Sequence, residues 1–136
     1  MKKIMGIDIG EKRIGIAVSD SLGFTAQGVE TFVRTGQGDA QYIADKASAL
    51  GASLVVAGLP LNMNGSEGPA VLSVREFAAQ LSALGVEVDF QDERLTTVSA
   101  ERFLIEADVS RKKRRQVVDK LAAVYILRAY LDRHPL

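Results

Sequence analysis

Cysteine and tryptophan are both missing from this chain of 136 residues, and histidine occurs once. Without cysteine there is no disulfide framework and no thiolate metal site, and a lone His134 near the end offers little to a zinc centre. No apolar run is long enough to cross a bilayer. The lysine-flanked first segment is too short, and too soon interrupted by Asp8, to be a signal peptide. A cytoplasmic protein with no membrane partner is expected. An excess charge is lacking too: 17 basic and 17 acidic residues cancel, so total charge gives no sign of a nucleic-acid partner. Neither a Ser-His-Asp arrangement nor a GxxxxGK[ST] phosphate loop is evident.

What remains is ordinary globular composition, with 47% apolar and 25% charged residues. The length suits a single domain over 1–136 with a core large enough to fold alone. Within it, one acid stands where an apolar strand should continue. Ile4-Met5-Gly6-Ile7-Asp8-Ile9-Gly10 and Arg13-Ile14-Gly15-Ile16-Ala17-Val18-Ser19 read as two strands, with Gly10-Glu11-Lys12 as the turn. Side chains alternate along a strand, so Met5, Ile7 and Ile9 form one aliphatic face with Ile14, Ile16 and Val18. The other face sets small residues around Asp8, leaving room for a closely packed helix, a metal or a phosphate. An unpaired ionised acid costs several kcal/mol to bury, so Asp8 either has a cation or donors beside it or simply caps the turn.

The remaining elements follow from turn residues and periodicity. A third strand is expected over Thr25 to Arg34, weakened at Gly28. A helix should open at Asp39 as N-cap, carry Ile43, Ala47 and Leu50 on one face, and end at Gly51. Leu54 to Leu59 is continuously apolar, as in a strand covered on both faces. A turn-rich loop with Asn62 and Asn64 follows, then a helix from Pro69 to about Leu84 with Val74, Phe77, Ala78 and Leu81 as its stripe. Val86 to Phe90 alternates strictly and leads into Gln91-Asp92-Glu93-Arg94. Thr96-Thr97 should cap a helix carrying Val98, Phe103 and Leu104. A last helix, starting near Val117 and apolar nearly all round, should be buried, with Asp119 in its first turn. Three consecutive strands suit an antiparallel meander and the helix-linked strands suit parallel crossovers. The expected fold is therefore α/β, a five-stranded mixed sheet with helices on both faces.

Strands that run parallel bring their C-terminal ends to one sheet edge, where Asp8, Asp92 or Glu93, and Asp119 can meet. Carboxylates that approach one another repel unless a cation intervenes, and oxygen-only donors favour Mg²⁺ or Mn²⁺. Each acid also has a plainer role open to it. Asp119 would complement a helix dipole, Asp92 and Glu93 would pair with Arg94, and Asn64 would only support its turn. Arg111-Lys112-Lys113-Arg114-Arg115 is either a footprint for several phosphates or a solvated charge run.

Taken together, Gly6-Ile7-Asp8-Ile9-Gly10 with Arg13-Ile14-Gly15-Ile16-Ala17, Gly58-Leu59-Pro60-Leu61-Asn62-Met63-Asn64-Gly65, Asp92-Glu93-Arg94-Leu95-Thr96-Thr97 and Asp119-Lys120-Leu121-Ala122-Ala123 resemble the YqgF/RuvX family. Four motifs in the right order span nearly the whole chain. The resemblance implies a ribonuclease-H-like fold and a cytoplasmic nuclease dependent on Mg²⁺ or Mn²⁺, associated with 5′-end maturation of pre-16S ribosomal RNA and, in some members, with Holliday junction resolution. It makes Asp8, Glu93 and Asp119 the metal-binding catalytic acids, with Asp92 an alternative to Glu93. Arg13, Asn62 and Arg94 would orient the phosphate or the acids, and Arg111, Lys112, Lys113, Arg114 and Arg115 would hold the nucleic-acid backbone. Symmetric cutting of a junction would call for a homodimer. Two other classes compete: a nucleotide-binding protein of the actin-like ATPase type, and a non-catalytic nucleic-acid-binding factor. The first needs two clasping domains, and the second is poorly served by acids that repel phosphate.

Overall fold

The computed structural model describes residues 3–93 and 111–133, the last range with side chains from Asp119 onward. Five strands, β1 (Lys3–Ile9), β2 (Arg13–Ser19), β3 (Ala26–Val33), β4 (Ala52–Leu59) and β5 (Val88–Asp92), form one sheet in the order β3-β2-β1-β4-β5. β1, β2 and β3 pair antiparallel as a meander, while β4 joins β1 and β5 joins β4 in parallel. The mixed sheet expected from the element order is thus the one observed. Among the described residues three helices cover it: α1 (Asp39–Leu50), α2 (Pro69–Ala83) and α3 (Arg111–Arg133).

Each sheet face has its own core. Met5, Ile7, Ile14, Ile16, Val55 and Ala57 pack on Ile43 and Ala47 of α1 and on Val74, Phe77 and Leu81 of α2. On the opposite face Ile4, Ala17 and Val56 pack on Ala123, Ile126, Leu127 and Tyr130 of α3. Successive residues of β4 therefore enter different cores, which is why that strand reads as continuously apolar. The small residues of the hairpin allow α3 to lie almost on the strand backbone. A Cβ on Gly15 would collide with the Asp119 carbonyl, and one on Gly6 would come within 2.8 Å of Leu127 Cβ.

Four local expectations change. Gly38, not Asp39, is the N-cap of α1, with φ of 72° and no side-chain cap. Asp39 instead turns its buried carboxylate back to the Thr35 amide (2.9 Å) and the Gly36 amide (3.2 Å), fastening the loop that precedes the helix. β5 begins two residues later than alternation suggested, because the Val86 amide is held by the Leu81 carbonyl of the preceding helix. α3 begins at Arg111 rather than near Val117, and it is amphipathic: Ala123, Ile126 and Leu127 are buried, whereas Arg128 and Asp132 are exposed. The cationic block therefore forms its first turns. The helix expected after Thr96-Thr97 lies outside the described residues. No described helix is long and apolar enough to cross a membrane.

Candidate active site at the sheet edge

β1 ends beside the start of β2, and their register sets Asp8 opposite Gly15. The absence of a side chain at Gly15 admits the backbone of α3 at Asp119, so that residue arrives over the hairpin from far along the chain. β5 lies two strands away from β1, with Gln91 opposite Gly58 of β4. Gly58 likewise has no side chain to spare: a Cβ there would strike the Glu93 carboxyl and Ile126. Two glycine-dependent approaches, at Gly15 and Gly58, therefore bring Asp119 and Glu93 toward Asp8 where the sheet ends.

The result is an acid cluster. The carboxyls of Asp8 and Glu93 hydrogen-bond to each other, and Asp119 is near enough to act on Asp8 through its charge. Burial raises the Asp8 pKa from 3.8 to about 6, the bond from Glu93 opposes that rise, and Asp119 adds to it. Burial also raises Glu93, from 4.5 to about 9, with further contributions from Asp8 and Asp92. A direct hydrogen bond between two carboxyls requires one to be protonated. Asp119 is neutralised differently, by Arg13, whose Nε donates to Oδ2 at 2.6 Å. Asp119 also stands eight positions beyond the start of α3, far past the first turn, so the helix-dipole role does not apply to it.

The other expected residues divide. Arg13 reaches the acids through its pair with Asp119. Asn62 lies in the loop after β4, where its Nδ2 donates to Ser66 Oγ at 2.9 Å, and Asn64 accepts from the Ser66 amide at 3.0 Å. Both asparagines thus shape the turn. Arg94 lies outside the described residues, and Arg111 to Arg115 are placed as backbone only. By the alternation of β5, Asp92 falls on the face of Phe90, while Glu93 falls on the α3 face with Asp8.

Gln91 was not singled out by its sequence, although β5 alternation puts it on the same face as Glu93. It is 6% exposed, and its Oε1 has no hydrogen-bond partner among the described residues. On the other side of the hairpin turn, a groove of about 910 Å³ runs between Lys12, Arg34 and the first turn of α2. Arg34 Nη1 donates to the Gly10 carbonyl at 2.9 Å and so braces the turn that separates groove from acids.

Whether these residues suit a divalent ion can be judged from their chemistry. Among the described residues no three acidic or imidazole groups already stand as a metal cage. The donor set nonetheless fits. Asp8 and Glu93 are carboxyls whose burial favours a proton, a condition that a hard cation relieves as well, and Asp119 supplies a third oxygen donor already paired with a cation.

Comparison with known proteins agrees with this architecture. A family model described as "RuvX: Holliday junction resolvase" matches residues 2–133. A protein of Syntrophomonas wolfei named "Putative pre-16S rRNA nuclease" is 54% identical over 132 residues, covering 96% of this chain and 94% of its own. Among solved structures, T. thermophilus RuvC in complex with a Holliday junction superposes with a TM-score of 0.56 at 14% identity, covering 98% of this chain and 96% of RuvC. Fowlpox virus resolvase, also with junction DNA, gives 0.51 at 10% identity, covering 96% and 99%. Identities this low speak for the fold alone, which is ribonuclease-H-like. The full-length family match is the stronger statement: this chain belongs to the RuvX/YqgF family.

Proposed function

We propose that this protein is a divalent-metal-dependent endonuclease that hydrolyses phosphodiester bonds in structured nucleic acid. Its substrate on this reading is the 5′ end of pre-16S ribosomal RNA, a four-way DNA junction, or both. The observation that carries the proposal is the meeting of Asp8, Glu93 and Asp119 at one sheet edge, two of them sharing a hydrogen bond. Structural cores do not collect buried acids without compensation, whereas ion-dependent phosphoryl chemistry needs them.

Asp8, Glu93 and Asp119 would hold Mg²⁺ or Mn²⁺. When bound, such an ion offsets the charge of the phosphate and makes a nearby water more acidic. The protein's own residues do the rest. Asp8 and Glu93 retain a proton between them when their charges are uncompensated; once deprotonated, their carboxylate oxygens can accept hydrogen bonds from an attacking water and so orient it. Arg13 offers a guanidinium to a phosphate oxygen at the same place. The groove beside Lys12 and Arg34 suits the strand that flanks the cut, and the cations of Arg111 to Arg115 suit its backbone farther along α3.

The two substrates can be separated directly. Labelled precursor RNA and a labelled four-way junction, each incubated with the purified protein in Mg²⁺, Mn²⁺ or EDTA, should show cleavage of at least one substrate in the metal lanes only. Cleavage that persists in EDTA would contradict the metal dependence. Failure on both substrates in every lane would contradict the nuclease assignment.

A further inference from the structure

We propose that Arg13 is a stand-in cation, holding the Asp119 carboxylate while no divalent ion is bound and releasing it when one binds. This rests on the reading of Asp8, Glu93 and Asp119 as the ion-holding acids. Three neighbouring carboxyls cannot all stay charged and uncompensated in a half-buried site. Of the three, the Asp119 carboxylate is the one that a cation already neutralises, through the Arg13 Nε at 2.6 Å.

The geometry confines the exchange to side chains. The backbone of α3 at Asp119 rests against Gly15 so closely that not even a Cβ fits between them, and the packing of Ala123, Ile126 and Leu127 on the sheet opposes withdrawal of Asp119 with its helix. Arg13 is freer. It opens β2 next to the hairpin turn, its side chain is 30% exposed, and a pair at that exposure is weakened by solvent and cheap to part. An ion that takes Asp119 as a ligand competes with the guanidinium for the same oxygen. Once released, that guanidinium presents a planar fork of donors suited to a phosphate oxygen beside the acids. Arg13 would then weaken ion binding and still assist cleavage, a pair of effects that a merely structural brace on α3 does not produce.

Titration with Mn²⁺, followed by the electron paramagnetic resonance signal of the free ion, tests this without any substrate. Arg13→Gln should bind Mn²⁺ roughly three- to tenfold more tightly than the parent, as removal of a competing unit charge implies. Arg13→Lys should stay near the parent, and Arg13→Met provides a second neutral side chain of similar length should the glutamine variant misfold. At saturating Mn²⁺ the neutral variants should nevertheless cleave more slowly. Unchanged or weaker Mn²⁺ binding by the neutral variants overturns the stand-in role. A separate control isolates the underlying reading: if Asp119→Asn and Asp8→Asn bind Mn²⁺ as the parent does, the acids are not ion ligands, whatever Arg13 does.

Discussion

Asp8 meets two opposing demands, a strand position that buries it and a neighbour, Glu93, that shares its charge. Both groups have folded pKa values above their ordinary ones, Asp8 at about 6 against 3.8 and Glu93 at about 9 against 4.5. The folded chain therefore binds more protons than the unfolded chain between those limits, and stability declines as pH rises through them. In EDTA, the melting temperature should fall by several degrees between about pH 5 and pH 9. Glu93→Gln should flatten that fall, and Mg²⁺ should restore the parent at high pH. A melting temperature that rises over this range in EDTA would contradict the shared-proton arrangement. At this scale the sequence was partly legible. Alternation alone put Asp8 on a face of small residues, but Arg13 and Asp119 are 106 positions apart and no local pattern announces their pairing. The choice between Asp92 and Glu93 depended on where β5 ends, which alternation misjudged by two residues.

Elements were read more surely than their ends. Each helix stripe of α1 and α2 packs as its spacing implied, because 3.6-residue periodicity is a property of many residues at once. Boundaries depend on single hydrogen bonds instead. The carboxylate of Asp39 is raised by burial, but the Thr35 amide and hydroxyl, the Gly36 amide and Arg34 outweigh that and hold its pKa below normal. Its contribution to stability is complete above the unfolded pKa and is lost as pH falls toward the lower folded value. Asp39→Ala should cost about 1 kcal/mol near neutral pH in chemical denaturation, since the loop loses the acceptor shared by the Thr35 amide, the Thr35 hydroxyl and the Gly36 amide, donors that water can then reach. The contact of α3 with the sheet gives a sharper contrast. Gly15→Ala drives a Cβ into helix backbone and should cost about 3 kcal/mol, with activity lost as Asp119 is displaced. Gly28→Ala meets only the Lys120 side chain, which can move aside, and should cost less than about 1 kcal/mol. Equal losses at the two glycines would mean that α3 is not seated by the backbone approach at Gly15.

At the scale of the whole molecule, a zero net charge conceals an uneven distribution. Arg111 to Arg115 occupy the first turns of the helix that later carries Asp119, so one rigid element links the cationic block to the acid cluster. The run was plain in the sequence, but its membership of that helix was not, because five cations show no apolar period. Neutralising all five should weaken nucleic-acid binding and reduce the slope of log affinity against log salt by about 3 to 5 if each meets one phosphate. An unchanged slope would leave the block as surface charge. The central claim, that the acids at the sheet edge form a phosphodiester-cleaving centre, concerns chemistry rather than affinity and calls for variants that separate the two. The most direct measurement is single-turnover cleavage by Asp8→Asn and Asp119→Asn in Mg²⁺, on whichever substrate the parent cuts, with substrate binding followed in the same samples. Cleavage should be abolished while binding is retained or strengthened by the removal of a negative charge. Variants that bind and cut at the parent rate would contradict the claim.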